Sequence, residues 1–179
     1  QERRGLGHAV WCARRLIGNE PFAVLLPDDV IAAETPCLQQ MVEAHAETGG
    51  CMVAAMEVAP KKTSSYGVLD IAEDNGQIVT VKGMVEKPKP EDAPSNLAVI
   101  GRYILTPKIL TNLNKIKQGA GGEIQLTDAI AQETKKPGNV FGLRFRGQRY
   151  DCGSKIGFLQ ATVAFGLSRP EFGEEFADF

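Results

Sequence analysis

Acidic residues follow two segments of this sequence at places where a metal ion could bind. Asp28 and Asp29 come directly after the apolar run 22–26, and Asp151 stands just before a segment of helical character. Ligands of open α/β sheets bind beyond the carboxyl ends of the strands, and Mg²⁺ takes a few carboxylate oxygens together with phosphate and water. Each acid alone could instead stabilise a turn or cap a helix. Asp151 in particular could cap the helix that begins at Ser154. Together, Asp28 and Asp151 favour a magnesium site.

Glu86 and Lys87 place an acid and a base side by side, directly before Pro88. Adjacent side chains of a strand point to opposite faces, so both reach one ligand only where the strand ends or bulges. Glutamate accepts hydrogen bonds from sugar hydroxyls, and lysine supplies a compact charge for phosphate. As a bare dipeptide, the pair is more typical of a solvated surface.

Glycines offer close backbone approach to a ligand at Gly5-Leu6-Gly7 and at Gly67, although each could simply be a turn. The sequence contains neither the Gly-x₄-Gly-Lys-Ser/Thr loop nor the Gly-x-Gly-x-x-Gly fingerprint of nucleotide-binding proteins. With no serine or cysteine motif nearby, His8 is expected to be a packed or capping residue.

Composition excludes several classes of function. The 179 residues are 43% hydrophobic and 23% charged, with a net charge of −2, which predicts one domain and no broad polyanion-binding surface. The local basic cluster of Arg144, Arg146 and Arg149 is expected to be a solvated strand or turn, without nucleic-acid contact. No apolar run approaches the ~20 residues of a membrane span.

The four cysteines form no Cys-x-x-Cys pair, and a chain of this size needs no disulfide staples. We therefore expect reduced, mostly buried thiols in a cytoplasmic protein. Only two histidines are present, which excludes a histidine-rich metal cage.

Apolar periodicity predicts an alternation of strands and helices in the first third of the chain. The run 22–26 fits a strand buried on both faces, as in a parallel sheet covered by helices. With the helix at 36–48 and the strand at 51–58 it predicts a right-handed βαβ unit. A helix is also expected before it, over 6–17.

The alternation then changes to a β-hairpin, with strands at 67–71 and 78–81 around Asn75-Gly76. Strands are predicted at 97–105 and 140–145, and helices at 107–114, 123–134 and 154–166. The predicted fold class is α/β: a mixed, mainly parallel, Rossmann-like sheet with helices on both faces and a β-hairpin insertion.

Seven motifs occur in one order along nearly the whole chain. They are Gly5-Leu6-Gly7-His8-Ala9-Val10, Leu26-Pro27-Asp28-Asp29, Tyr66-Gly67-Val68, Val85-Glu86-Lys87-Pro88, the segments 93–103 and 122–130, and Asp151-Cys152-Gly153-Ser154-Lys155-Ile156-Gly157. In this order they resemble the bacterial UTP–glucose-1-phosphate uridylyltransferases, which have the nucleotide-diphospho-sugar transferase fold. The related thymidylyltransferases would be expected to read Gly-Asp after the buried strand and Asp-Thr-Gly near the end.

The resemblance implies an enzyme that makes UDP-glucose and pyrophosphate from UTP and glucose 1-phosphate, with Mg²⁺ as cofactor. It implies that Asp28 and Lys87 are catalytic, and that Lys87 holds the sugar phosphate. It also implies roles for matching positions: Gly5 and Leu6 against uracil, Asp28 and Asp151 on Mg²⁺, and Tyr66, Gly67, Glu86 and Val99 around glucose. A homo-oligomer that binds neither nucleic acid nor membrane is expected.

The chain departs from the family at its start. Family members open with a strand and a Gly-x-Gly-Thr-Arg loop that holds the UTP triphosphate, and that segment has no counterpart here. We therefore expect residues 1–179 to be a single nucleotidyltransferase domain that is N-terminally incomplete and inactive alone. Gln1 is a candidate for the glutamine that reads the base. The alternatives are a thymidylyltransferase, a UDP-sugar glycosyltransferase of related fold, and a non-catalytic sugar-nucleotide binder.

Overall fold

The computed structural model describes residues 4–116 and 122–178, which form seven α-helices and eight strands. The helices are α1 Leu6–Cys12, α2 Arg14–Ile17, α3 Cys37–Thr48, α4 Lys108–Leu113, α5 Leu126–Glu133, α6 Lys155–Leu167 and α7 Gly173–Asp178. The strands are β1 Phe22–Leu25, β2 Asp29–Ala32, β3 Cys51–Glu57, β4 Gly67–Asp74, β5 Ile78–Glu86, β6 Leu97–Leu105, β7 Val140–Arg144 and β8 Gln148–Asp151. Short 3₁₀ helices cover Pro60–Ser65 and Pro90–Asp92.

Six strands form one sheet in the order β1-β6-β3-β7-β5-β4, and β4 also touches β6 where Val68 pairs with Ala98. The pairings make β1, β3, β4 and β7 run in one direction and β5 and β6 in the other. The predicted mixed, mainly parallel sheet is confirmed in strand direction. Only β3 and β7 are parallel neighbours, because the two reversed strands separate the others.

The prediction that the run 22–26 is buried on both faces is wrong for the described chain. Burial alternates along β1, and Leu25 is 48% exposed. Among residues 4–116 and 122–178 the strand pairs only with β6, antiparallel, and so occupies an edge of the sheet that these residues form. An edge strand can bury one face and leave the other open. The strands β1 and β3 of the predicted βαβ unit do run parallel, but β6 lies between them.

Helices cover both faces of the sheet, as predicted. One core cluster joins α1, α4 and α5 to the side of β3 that carries Val53 and Ala55. The other cluster joins α3, through Met41, to the side that carries Met52 and Ala54. The two clusters therefore alternate along β3, as the two-residue period of a strand requires.

Local signals located most elements well. The hairpin forms around Asn75-Gly76, with Gly76 at a φ of 81° that favours glycine. The helix predicted over 6–17 is interrupted at Ala13, and the one predicted from 123 begins at Leu126. Two strands were not predicted: β2 and β8 form a separate antiparallel pair.

The four cysteines are free, as expected. Cys37 and Cys51 are buried, whereas Cys12 is exposed. Burial raises the pKa of the Cys37 thiol to about 11, and burial likewise raises the pKa of Cys51. Both buried thiols therefore stay protonated near neutral pH. Across the described ranges, no helix has the length and apolar character required to cross a bilayer.

Candidate active site

The turn between β1 and β2 carries the first acidic pair. Asp29 begins β2 and is the register partner of Asp151, the last residue of β8. The Cys152 N–H donates to the Asp28 carbonyl at 2.7 Å, which extends this pairing past the end of β8. Antiparallel pairing of two short strands thus brings the acids of two distant motifs to one place.

The carboxylates of Asp28 and Asp151 converge on Gly153. A Cβ atom at Gly153 would lie 3.3 Å from Oδ2 of Asp28 and 3.2 Å from Oδ1 of Asp151. Asp28 is exposed and Asp151 is half-buried. A side chain at Gly153 would crowd both carboxylates, so glycine lets their oxygens approach the same spot. This donor set fits Mg²⁺, which needs only one or two carboxylates when phosphate and water supply the rest.

The capping alternative fails for Asp151. Ser154 is the N-cap of α6, and its hydroxyl oxygen accepts the Gly157 N–H at 3.1 Å. Oδ1 of Asp151 instead accepts the Gly153 N–H at 3.2 Å, a local turn that leaves its other oxygen free. Among residues 4–116 and 122–178, no group of three or more histidine, cysteine, aspartate or glutamate side chains could hold a metal. A cation here would therefore depend on ligand oxygens.

Asp29 has a structural role that separates it from its neighbour. Its side chain is buried, accepts the Gly101 N–H at 2.9 Å and is ion-paired with Arg149 Nε. A Cβ at Gly101 would lie 2.5 Å from Oδ2 of Asp29 and 2.7 Å from Cβ of Leu26, so only glycine fits there. Asp29 anchors the turn and leaves Asp28 to face solvent.

Glu86 and Lys87 stand where β5 ends, the condition under which both could reach one ligand. Lys87 has a φ of 47°, and its N–H donates to the Tyr66 carbonyl at 2.9 Å. The Lys87 side chain is 60% exposed and that of Glu86 only 16% exposed, with Nζ 3.9 Å from Oε1. The interpretation as a solvated surface pair is therefore wrong for Glu86.

Gly67 lies opposite Glu86 in the β4–β5 register. A Cβ at Gly67 would be 3.3 Å from Oε2 of Glu86 and 3.4 Å from Cγ2 of Thr127. Thr127 donates to that same Oε2 at 2.6 Å. Val99, on β6, is 8% exposed and packs in the core, so it offers a ligand little side-chain surface.

Gly5 and Leu6 open α1, next to the segment that leads into α5. Gly5 has a φ of 88°, and a Cβ there would lie 2.8 Å from Cβ of Glu123. The Gly7 N–H donates to Ile124 O at 2.9 Å, and the Ile124 N–H donates to Arg4 O at 2.8 Å. Because Thr127 lies in the first turn of α5, this helix links the segment to Glu86. Gln1 lies outside the described residues.

Arg149 is a site residue that sequence reasoning missed, because it was assigned to a solvated basic cluster. Its side chain is 11% exposed, pairs with Asp29 and donates to the Tyr66 hydroxyl at 3.1 Å. Burial lowers the pKa of Arg149, but the Asp29 charge and the hydrogen bonds to Asp29 and Tyr66 outweigh it and raise the pKa overall. Arg144 of the same cluster pairs with Asp74 and Glu57 instead.

The charges of Glu86 and Asp29 both act on Tyr103, a half-buried residue of β6. Burial raises the pKa of this phenol, and the charges of Glu86 and Asp29 raise it further. Tyr103 therefore stays protonated at neutral pH. Tyr103 closes the motif 93–103, but no role was predicted for it.

A mixed sheet covered by helices on both faces, with acids in the turn after β1, is an arrangement found in nucleotide-binding proteins. The nucleotidyl transferase family matches residues 1–166. The chain belongs to this family.

Individual relatives narrow the comparison. A UTP–glucose-1-phosphate uridylyltransferase of Komagataeibacter xylinus is 55% identical over 154 residues, covering 85% of this chain and 53% of that protein. The one of Staphylococcus haemolyticus (strain JCSC1435) is 47% identical over 179 residues, covering 100% of this chain and 62% of that protein. A crystal structure of UDP-glucose pyrophosphorylase complexed with UDP-glucose superposes with a TM-score of 0.89 at 44% identity, covering 94% of this chain and 64% of that one. The chain thus spans between half and two thirds of the length of each of these three proteins.

Proposed function

We propose that the full-length protein transfers a uridylyl group from UTP to glucose 1-phosphate, giving UDP-glucose and pyrophosphate. The observation that carries the proposal is the convergence of Asp28 and Asp151 on Gly153, just beyond the carboxyl end of β1, where ligands of open α/β sheets bind. The names of the two curated relatives support the choice of nucleotide and sugar.

The reaction in this proposal is an in-line displacement. An ionised phosphate oxygen of glucose 1-phosphate attacks the α-phosphorus of UTP, the bond from that phosphorus to the bridging oxygen breaks, and pyrophosphate leaves. No residue has to remove a proton, because the nucleophile is already an anion. The protein therefore acts by positioning the two substrates and by balancing their charge.

Asp28 and Asp151 would hold Mg²⁺ in this site. When bound, the ion would offset the negative charge of the phosphate oxygens, which otherwise repels an anionic nucleophile. Lys87 would contribute a positive charge on the other side of the site, where its exposed side chain can contact the phosphate of the sugar. Lys87 and Asp28 are the catalytic residues of the proposal.

Glu86 would determine sugar specificity by binding a glucose hydroxyl. Its Oε2 is occupied by the Thr127 hydroxyl, so Oε1 remains to accept a hydrogen bond from a glucose hydroxyl. Gly67 would let the sugar approach the backbone beside this carboxylate. Tyr66 would complete the pocket, and Val99, whose side chain packs in the core, would contribute through its backbone. Gly5 and Leu6 would lie against the uracil ring.

A coupled assay tests the proposal. The full-length protein is incubated with UTP, glucose 1-phosphate and Mg²⁺, and both UDP-glucose and pyrophosphate are measured. Equal amounts of the two products, dependent on both substrates, are expected. Binding of UTP without turnover would identify a non-catalytic binder, and release of UDP from UDP-glucose on addition of a sugar acceptor would identify a glycosyltransferase. A preference for dTTP over UTP would point to a thymidylyltransferase.

The proposal extends to the cellular compartment, the domain organisation and the oligomeric state of the enzyme. Free thiols support a reducing compartment such as the cytoplasm. A single nucleotidyltransferase domain and a homo-oligomeric state stay predictions, which limited proteolysis and sedimentation velocity of the full-length protein would check.

A further inference from the structure

The buried ion pair between Arg149 and Asp29 leaves the guanidinium a second partner, the hydroxyl of Tyr66. Arg149 donates to Asp29 through Nε and to the Tyr66 hydroxyl through Nη1, the latter at 3.1 Å. The Gly101 N–H fixes the other carboxylate oxygen of Asp29 at 2.9 Å. Side-chain exposure is only 11% for Arg149 and 10% for Asp29, so the guanidinium is held in place away from solvent.

This contact sets the direction of the Tyr66 hydroxyl hydrogen. Arginine can only donate hydrogen bonds, so the Tyr66 oxygen must act as the acceptor. Its own hydrogen then has to point away from Arg149. Tyr66, Arg149 and Asp151 line one cavity of about 370 Å³, which gives that hydrogen a space where a ligand could receive it.

We infer that Arg149 is a positioning residue that makes Tyr66 a hydrogen-bond donor to the glucosyl group of the bound sugar nucleotide. The inference rests on the proposed function. Arg149 itself is not the phosphate ligand, because Asp29 already neutralises its charge. The Tyr66 donor would complement Glu86, whose Oε1 is the acceptor left open by Thr127. Tyr66 directly precedes Gly67, the register partner of Glu86, so the two residues lie close together where β4 begins and β5 ends.

Ligand affinity in single and double variants tests the inference. Calorimetry of the full-length protein gives the affinities for UDP-glucose and for UDP. The affinity for UDP-glucose divided by the affinity for UDP isolates the contribution of the sugar. Arg149→Lys keeps a charge opposite Asp29 but lacks the planar fork needed to serve two partners. Arg149→Lys and Tyr66→Phe should each lower the ratio about 10-fold. The double variant should lose no more than either single variant.

Arg144→Lys is the matched control, because Arg144 also pairs with carboxylates, at Asp74 and Glu57. Arg144 does not itself line the cavity, although its partner Glu57 does. The ratio for Arg144→Lys should equal that of the unmodified protein. Losses that multiply in the double variant would overturn the inference, and so would equal weakening of UDP and UDP-glucose by Arg149→Lys.

If Arg149→Lys does not fold, the measurement on Tyr66→Phe tests the inference by itself. An unchanged ratio of UDP-glucose affinity to UDP affinity in Tyr66→Phe overturns the inference. A full-length protein that binds no UDP-glucose would remove the proposed function and this inference with it. Tight UDP-glucose binding with unchanged ratios would remove the inference alone.

Discussion

The hydroxyl of Thr127 donates a 2.6 Å hydrogen bond to Oε2 of Glu86, across 41 residues of sequence. The bond ties the first turn of α5 to the last residue of β5. It fixes the orientation of the one carboxylate that is expected to contact glucose. The selectivity of the proposed site should therefore depend on a residue that need not touch the sugar.

Thr127→Val should reduce sugar selectivity, because valine keeps the shape of threonine and removes the donor. We expect discrimination between glucose 1-phosphate and its epimers, measured as a ratio of kcat/KM values, to fall about 10-fold. Thr127→Ser, which retains the hydroxyl, should keep most of it. Equal discrimination in the valine variant and the unmodified enzyme would show that the Thr127 contact is only structural.

Glu86→Gln and Lys87→Met should have different consequences, although the residues are adjacent. Glu86→Gln removes the charged acceptor, so it should lower sugar discrimination by about 10-fold or more and leave UTP binding intact. Lys87→Met should depress turnover with every sugar phosphate alike, because the lost charge positions the group that all of them share. Comparison of kcat/KM across several sugar 1-phosphates checks both. Loss of activity in both variants at constant sugar preference would remove Glu86 as the sugar reader.

Asp28→Asn and Asp151→Asn should each weaken Mg²⁺ dependence and lower turnover about 100-fold or more. Each change keeps the side-chain size and removes one charged ligand of the proposed cation. Stability should change little, because Ser154 rather than Asp151 caps α6. Asp70→Asn, in a surface pair with Lys82, is the control with normal turnover. Normal turnover of Asp28→Asn with a lowered melting temperature would instead assign Asp28 to the turn.

The Arg144–Asp74 pair should contribute to stability only above acidic pH. The side-chain hydrogen bonds from Arg144 lower the pKa of Asp74 from its ordinary value of 3.8. A depressed native pKa gives stability that is present above 3.8 and is lost as pH falls through the native value. Asp74→Asn should thus destabilise the protein in urea at pH 7, and the difference from the unmodified protein should shrink in strong acid. A difference that grows on acidification would contradict this sign.

Local signals in the sequence were sufficient for the hairpin and for the N-cap of α6, because Asn75-Gly76 and Ser154 act through their own neighbours. The same holds for Lys87, where a proline follows the end of the strand. Asp28 could be placed at a strand end from the apolar run that precedes it, and Asp151 before a helix, but β8, the strand that Asp151 ends, was not predicted. Their approach to each other depends on the β2–β8 pairing, whose short strands carry no clear periodic signal.

Long-range contacts account for what sequence reasoning missed. Arg149 reads as a solvated arginine, and only its partner Asp29, 120 residues away, shows that it is buried. Thr127 gave no signal because threonine near the start of a helix is ordinary. The edge position of β1 was missed because an apolar run does not reveal which strands become its neighbours.

An isotope experiment tests the central claim, that the sugar phosphate attacks the α-phosphorus of UTP in this site. The full-length protein is given UTP and glucose 1-phosphate labelled with ¹⁸O in its phosphate group, and the products are observed by ³¹P NMR. The mechanism predicts UDP-glucose with ¹⁸O in the bridge between its two phosphorus atoms and pyrophosphate without label. Labelled pyrophosphate, an unlabelled bridge, or no UDP-glucose would contradict it.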